Sequence, residues 1–400
     1  MTQSNNNLPA PEVAELDLGY IRLSDSAPLV LAQELGFYEK YQLNVTLHRE
    51  VSWANLRDKL VVGSLDATQM LAPLPMTTAL GAGGLRANLL TGLVLSLNGN
   101  GITLSRALAD NLAGLGGTPG DAASTSAALA ELLNTQPSLS LTLAAAHSFS
   151  CHILQLRLWL RAGGIDPDSR VRIIVLPPEQ MVDSLARGII DGYCVGEPWN
   201  TAAVQRGIGT MVTSGFSVWN NLPEKVLGVT DAWHQANPAS HLRLRLALME
   251  TCQWLAVPEN RPQAARALAD PQYLDLPERE LLPSLCGKLQ YQRDGAVMDE
   301  PDFHVFGRYQ AGFPWRSTAR ELLDMSMEML GGSATEAERS AVVQQSYRPD
   351  LYRQAARHLG ITLPATDNRP AAAHDAPWQM APGVEMGADL RLAPLKAGGH

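Results

Sequence analysis

Trp53, His152, Gly196 and Lys225 are the residues of this sequence best suited to hold a small anion. Trp53 follows Val51-Ser52 and opens Ala54-Asn-Leu-Arg-Asp-Lys-Leu60. Its indole N–H either points into a cleft mouth or its ring covers a core, and the spacing leaves both open. His152 follows Ser148-Phe-Ser-Cys151 at the start of a helical segment. First-turn N–H groups and the helix dipole favour an anion there, and the same field lowers an imidazole pKa. A lone structural histidine is the plainer alternative. Lys225, in Asn221-Leu-Pro-Glu-Lys-Val-Leu-Gly228, offers a compact cation for a monovalent anion; otherwise it is a solvated loop lysine paired with Glu224. Gly196 lets a backbone N–H approach a ligand where a β-carbon would intrude, or it is simply a turn glycine.

Other chemistries find less support. Gly114-Leu-Gly-Gly-Thr-Pro-Gly120 lacks the lysine and Ser/Thr of a phosphate-binding loop, and its Pro119 argues for a plain loop. Cys151 and His152 are adjacent, so their side chains diverge and no nucleophile–base pair is suggested. The four cysteines form no C-x-x-C pair and the nine histidines have no metal spacing, so no metal and no cofactor is expected. Nothing demands an enzyme. The net charge of −9 argues against sequence-independent nucleic-acid binding, yet leaves room for one locally positive pocket. The start of the chain does not read as a secretory signal, and the apolar run Leu89–Leu97 is far shorter than the roughly 20 residues a membrane span needs. A cytoplasmic location is the resulting expectation.

The elements that must position these residues are of α/β type. Leu16–Ile21, Leu43–Leu47 and the run from Asp66 to Leu71 read as strands. Asp25-Ser26 supplies an N-cap before the helix Leu29–Leu35, and a second helix runs from near Trp53 to a stop at Gly63. About 125 residues on the pattern recurs: Gly63, Asp66 and Pro73 are matched in spacing by Gly188, Asp191 and Pro198. Two lobes built on related βαβ units follow, with ligand expected beyond the strand ends. That puts Trp53, the Pro73 loop, Gln180 and the loop Gly196-Glu-Pro198-Trp around one cleft. Residues 1–14 read as a flexible lead-in, and 364–400 as a flexible tail rich in Ala, Pro and Gly.

Several blocks carry a resemblance: Val51-Ser-Trp-Ala-Asn-Leu-Arg-Asp-Lys-Leu60, Leu158-Trp-Leu-Arg-Ala-Gly-Gly-Ile-Asp-Pro167, Val175-Leu-Pro-Pro-Glu-Gln-Met181, Cys194-Val-Gly-Glu-Pro-Trp-Asn200 and Pro223-Glu-Lys-Val-Leu-Gly228. Over roughly residues 15–360 the chain resembles the nitrate- and bicarbonate-binding solute receptors of ABC transporters. The resemblance implies a two-lobed periplasmic-binding-protein fold of the second type. Lobe one would comprise 15–102 plus 218–363 and lobe two 103–217, with crossovers near Asn100–Thr103 and Phe216–Trp219. It also implies nitrate or nitrite as ligand, held by Trp53, His152, Gly196 and Lys225. The family's glutamine falls at Ile102, so Asn100 or a nearby amide must compensate. A lysine at 225 favours nitrate or nitrite, because bicarbonate brings a hydroxyl donor that an acidic acceptor would serve better.

The block Leu95-Ser-Leu-Asn-Gly-Asn-Gly-Ile-Thr-Leu-Ser105 and the unexported start resemble cytoplasmic nitrate/nitrite sensors of the NasS type. That resemblance implies a partner, an RNA-binding antiterminator of the ANTAR class (NasT-type), held without ligand and released on nitrate binding. The alternatives are a solute receptor, a receptor-like domain of an ABC transporter, and an enzyme sharing the two-lobed architecture.

Overall fold

The computed structural model describes residues 8–330, 334–371 and 373–394. In chain order the first five strands are β1 (Glu15–Ile21), β2 (Asn44–Glu50), β3 (Ala67–Leu71), β4 (Leu89–Leu90) and β5 (Val94–Asn98). Next come β6 (Asn100–Ser105), β7 (Thr142–Ala145), β8 (Arg172–Val175), β9 (Gly192–Gly196) and β10 (Gly209–Ser214). The chain then returns through β11 (Pro223–Thr230), a hairpin β12 (Lys288–Gln290) and β13 (Val297–Asp299), β14 (His304–Val305), and a last hairpin β15 (Trp378–Ala381) and β16 (Val384–Met386). One sheet has the order β14-β5-β11-β3-β1-β2, with β4 beside β11; the other runs β10-β6-β9-β7-β8. Helices flank both sheets, and the inner strands β3 and β9, each parallel to one neighbour and antiparallel to the other, are buried throughout, as strands covered on two faces must be.

The repeat is structural. In one sheet β1 pairs in parallel with β2 and β3; in the other β7 pairs in parallel with β8 and β9. Gly63 and Gly188 end their helices with φ of +76° and +66°. Asp66 accepts the backbone N–H of Asp17 at 2.8 Å, and Asp191 accepts that of Thr142 at 2.8 Å. Each carboxylate thus ties the start of one strand to the start of its neighbour. We expect Asp191→Ala to cost about 1.5–3 kcal/mol, the range for hydrogen bonds to a charged group, and Asp66→Ala less because its bond is more exposed. Urea unfolding of the two variants checks this, and an unchanged midpoint for Asp191→Ala would refute it.

The chain passes between sheets within two short stretches. The first is Asn98-Gly99, with φ of +61° and +87°, so β6 belongs to the second sheet from Asn100 onward and not from Thr103. The second is Trp219–Leu222, just after the helical turn Gly215–Val218. Asn98 Nδ2 donates to Asn221 Oδ1 at 3.2 Å, so the two crossovers are tied together.

Both expected flexible ends need correction. Leu8 and Pro9 carbonyls accept from Arg243, and Glu12 accepts the N–H groups of Ala239 and Ser240 at the start of the helix Pro238–Ala256. Residues 1–7 of the lead-in lie outside the described residues. Val384, Met386 and Ala388 of the supposed tail are buried, Asn221 Nδ2 donates to the Ala388 carbonyl at 2.8 Å, and Leu392 N–H donates to Val218. Composition missed this because a few well-placed apolar side chains and backbone bonds suffice to seat a segment otherwise rich in Ala, Pro and Gly. Residues 395–400 and Ala372 lie outside the description. Among the described residues, no helix is long and apolar enough to cross a membrane.

Candidate functional site

Two serine caps place two of the anion candidates. Ser52 Oγ accepts from Asn55 N at 3.2 Å and starts the helix Trp53–Val61; Ser150 Oγ accepts from Ile153 N at 3.2 Å and starts the helix Cys151–Ala162. Trp53 and His152 therefore stand in first turns, one from each lobe. Lys225 is in β11, not in a loop. Against β5, Pro223 pairs with Leu97 and Lys225 with Ser96, so two steps on β11 oppose one on its partner. This bulge at Glu224 breaks the alternation of the strand and lets Glu224 and Lys225 reach the same crevice.

All of these groups are buried between the lobes. Lys225 Nζ lies 2.8 Å from Asp25 Oδ2 and 2.7 Å from Glu224 Oε1, and 5.3 Å above the Trp53 ring. His152 Nε2 lies 3.2 Å from Glu224 Oε1 without forming a hydrogen bond to it. Asn100 Nδ2 donates to Glu224 Oε2 at 2.8 Å and to Gln155 Oε1 at 2.9 Å. Gln69 Nε2 donates to Asp25 Oδ1 at 2.6 Å. Trp53 Nε1, also buried, has no protein acceptor.

The electrostatics follow from burial and pairing. Burial drags the Lys225 ammonium down, but Asp25 and Glu224 outweigh it and hold the pKa above the ordinary lysine value. Burial raises Asp25, only partly offset by Lys225. Burial first, then Lys225 and His147, push His152 well below its usual range, so its imidazole is neutral. Glu197, on the adjoining loop, is pushed by burial to about 7 while accepting from Thr201 N at 3.1 Å.

The structure brings Trp53, His152, Lys225 and Asn100 together, with Gly196 facing Asn100 across β6 and β9. A β-carbon at Gly196 would meet only ordinary contacts, 3.5 Å from Asn100 Oδ1 and Leu23 Cδ2, so protein packing alone does not demand glycine there. Pro198 is buried after a cis bond from Glu197, in a loop that joins the lobes: Ser24 N–H donates to the Glu197 carbonyl at 2.7 Å and Trp199 Nε1 to that of Arg22 at 3.1 Å. Two expected cleft residues are not there. Gln180 is exposed, as the last residue of the helical turn Pro178–Gln180 and the residue before the helix Met181–Ala186. Ile102 lies in lobe two's hydrophobic core with Leu156, Trp159 and Cys194. Asp25 is not the cap it seemed, since no side chain caps either helical segment there and its carboxylate faces Lys225 instead. Gln69 and Gln155 were not anticipated; Gln155 stands three residues after His152, on the same helix face, which was the available signal.

Residues 9–269 match the model of the NMT1-like family. The nitrate import ATP-binding protein NrtC of Synechocystis is 37% identical over 87% of this chain and 51% of its own length. The bicarbonate transport ATP-binding protein CmpC of Synechococcus elongatus is 34% identical over 96% of this chain and 55% of its own. The chain thus spans about half the length of these curated relatives. The crystal structure of the periplasmic nitrate-binding protein NrtA from Synechocystis superposes with a TM-score of 0.83 at 28% identity, covering 90% of this chain and 94% of that one. The chain belongs to the NMT1-like family, has the two-lobed solute-binding fold, and is related to nitrate- and bicarbonate-transport proteins.

Proposed function

We propose that this chain is an oxyanion receptor that takes nitrate between its lobes, as the solute-recognising part of an ATP-driven import system. The observation that carries this reading is the cluster Lys225, His152 and Asn100 gathered on the Glu224 carboxylate. A carboxylate is planar, monovalent and purely an acceptor, and nitrate shares all three properties. Trp53 Nε1 adds a buried donor with no acceptor of its own. The names of NrtC and NrtA support the same ligand.

A second ligand has a specific observation in its favour. Lys225 is neutralised by Asp25 and Glu224, so it no longer discriminates for nitrate as an isolated cation would. Hydrogen carbonate could give its O–H to Glu224, and CmpC is a relative. Thermal unfolding with nitrate, nitrite and hydrogen carbonate separates these readings. A ligand that binds only the folded state adds about 2.7 kcal/mol at a hundredfold excess over Kd. Nitrate is expected to stabilise most, and no stabilisation by any of the three would reject the receptor reading.

The narrower role of a sensor releasing an ANTAR-class antiterminator has the resemblance of Leu95–Ser105 behind it. It requires the ligand to favour the free chain over the complex. Size-exclusion with a candidate antiterminator, with and without nitrate, tests it; a complex indifferent to nitrate would discard it.

A further inference from the structure

We propose that residues 388–392 form a further connection between the lobes and hold the crevice shut, so that this strap gates the passage of a solute. The inference rests on the receptor reading for its purpose, but its test needs no ligand. Lys225, His152 and Asn100 are fully buried, so an anion reaches them only when the lobes part. Parting turns the lobes about the two crossovers, Asn98-Gly99 and Trp219–Leu222.

The strap is seated on the second crossover along its length. Asn221 Nδ2 donates to the Ala388 carbonyl at 2.8 Å and Asn220 N–H to the Leu390 carbonyl at 2.9 Å. Leu390 N–H returns a bond to Asn220 Oδ1 at 3.0 Å. Gly387 brings the backbone so close that a β-carbon there would lie 2.4 Å from Asn221 Nδ2. The Arg391 guanidinium lies 3.7 Å from the centre of the Trp219 ring and pairs with Glu321 of the helix Arg316–Leu330. The two ends of the strap belong to different lobes. Before it, Val384 and Met386 are buried in the larger hydrophobic core, which holds the lobe-one sheet. Asp389 lies 3.3 Å from Arg369, whose N–H donates to Ser317 of the helix Arg316–Leu330. At its far end, Leu392 N–H donates to the Val218 carbonyl at 2.9 Å, and its side chain packs on lobe two's core. Rotation about the crossovers must strain these bonds or release Leu392 from Val218, and either raises the cost of opening.

Thiol labelling of the intact chain under native conditions, read cysteine by cysteine by mass spectrometry, tests this. Cys151 is buried between the lobes, its thiol donating to the Pro223 carbonyl at 3.1 Å, so its labelling reports their parting. Cys252 is buried within lobe one, in the helix Pro238–Ala256, and reports unfolding. When reclosing is fast, each rate follows the population of its open form. Arg391→Ala is expected to speed Cys151 labelling roughly two- to thirtyfold, the range for one lost cation–π contact, and to leave Cys252 unchanged. Leu392→Asp, which puts a charge against lobe two's core, is expected to act in the same direction. Arg391→Lys keeps a cation over Trp219 and is expected to stay near wild type. Unchanged Cys151 labelling in both Arg391→Ala and Leu392→Asp overturns the inference. So does a parallel rise at Cys151 and Cys252, which would make the strap a support of the whole fold and not a gate. Potassium nitrate is expected to slow Cys151 labelling in wild type. Failure of that arm alone counts against the receptor reading, while the strap stands or falls on the ligand-free variants.

Discussion

Lys225→Met is expected to lower the stability of the ligand-free chain by about 3–5 kcal/mol, the cost of leaving a buried ionic partner uncompensated. Lys225 is fully buried, as are the two carboxyl groups it touches. Methionine keeps the unbranched stem and loses only the terminal ammonium, so the loss is chiefly one of charge rather than volume. The pH dependence has a definite sign. Asp25 is already raised in the folded state by burial, and losing the ammonium raises it further. An acid whose folded pKa exceeds its unfolded value binds more protons folded than unfolded, so stability falls as pH rises above the unfolded value. The deficit of Lys225→Met is thus greatest near neutrality and shrinks in acid. Urea unfolding across pH measures it, and introducing Asp25→Asn into the variant should recover part of the loss. A variant as stable as wild type at neutral pH would mean that the triad is not ionised as described. The same result bears on interpretation: loss of ligand binding in a Lys225 variant proves a contact only if the variant is still folded.

Gly99→Ala is expected to cost about 2–5 kcal/mol and to weaken ligand binding, because it acts where the chain passes from one lobe to the other. Gly99 has φ of +87°, a region in which an L-residue loses roughly 1–2 kcal/mol. Its new β-carbon would lie 2.2 Å from His304 Cε1 and 2.4 Å from Nδ1, an overlap of the kind that adds about 1–3 kcal/mol. The ring has little room to yield, being fully buried, stacked on Phe306 at 5.6 Å and edge-on to Phe303 at 5.3 Å. Asn100, next in the chain, holds Glu224, so displacement of the crossover reaches the crevice directly. Thermal unfolding with nitrate titration checks both effects. Adding His304→Ala should relieve the overlap but leave the backbone penalty, and a stable, fully binding Gly99→Ala would contradict the account.

Much of this arrangement was legible in the residues. The serines before Trp53 and before Cys151-His152 mark helix starts by local hydrogen bonding, and local rules survive folding. The 125-residue repeat is likewise readable, because Gly63 and Gly188 must follow a helix and Asp66 and Asp191 must precede a strand. The crossover lay in plain view as Asn98-Gly-Asn-Gly101, although the apolar run on either side hid where one sheet ends.

The rest depended on contacts between distant segments. Nothing in Pro223-Glu-Lys says that neighbours on a strand share a crevice, since the bulge exists only against β5. Asp25 obeys the rule for a helix cap and is instead drawn to a lysine 200 positions away, because an unpaired buried ammonium costs more than an empty cap. Ile102 reads as a substituted ligand position in one dimension and as core in three. The C-terminal hairpin shows the same limit: its seat against Asn221 and Val218 is invisible until those residues are placed.

The central claim is that donors from both lobes converge on one small oxyanion. Calorimetric titration of wild type and His152→Phe with nitrate tests it most directly, since His152 is neutral, buried and dispensable to the ionic triad. Wild type should bind with a stoichiometry of about one, and the variant, still folded, should bind roughly ten- to a hundredfold more weakly, as expected for one buried hydrogen bond lost. Equal affinity in the two proteins would place the anion elsewhere and contradict the assignment of the crevice.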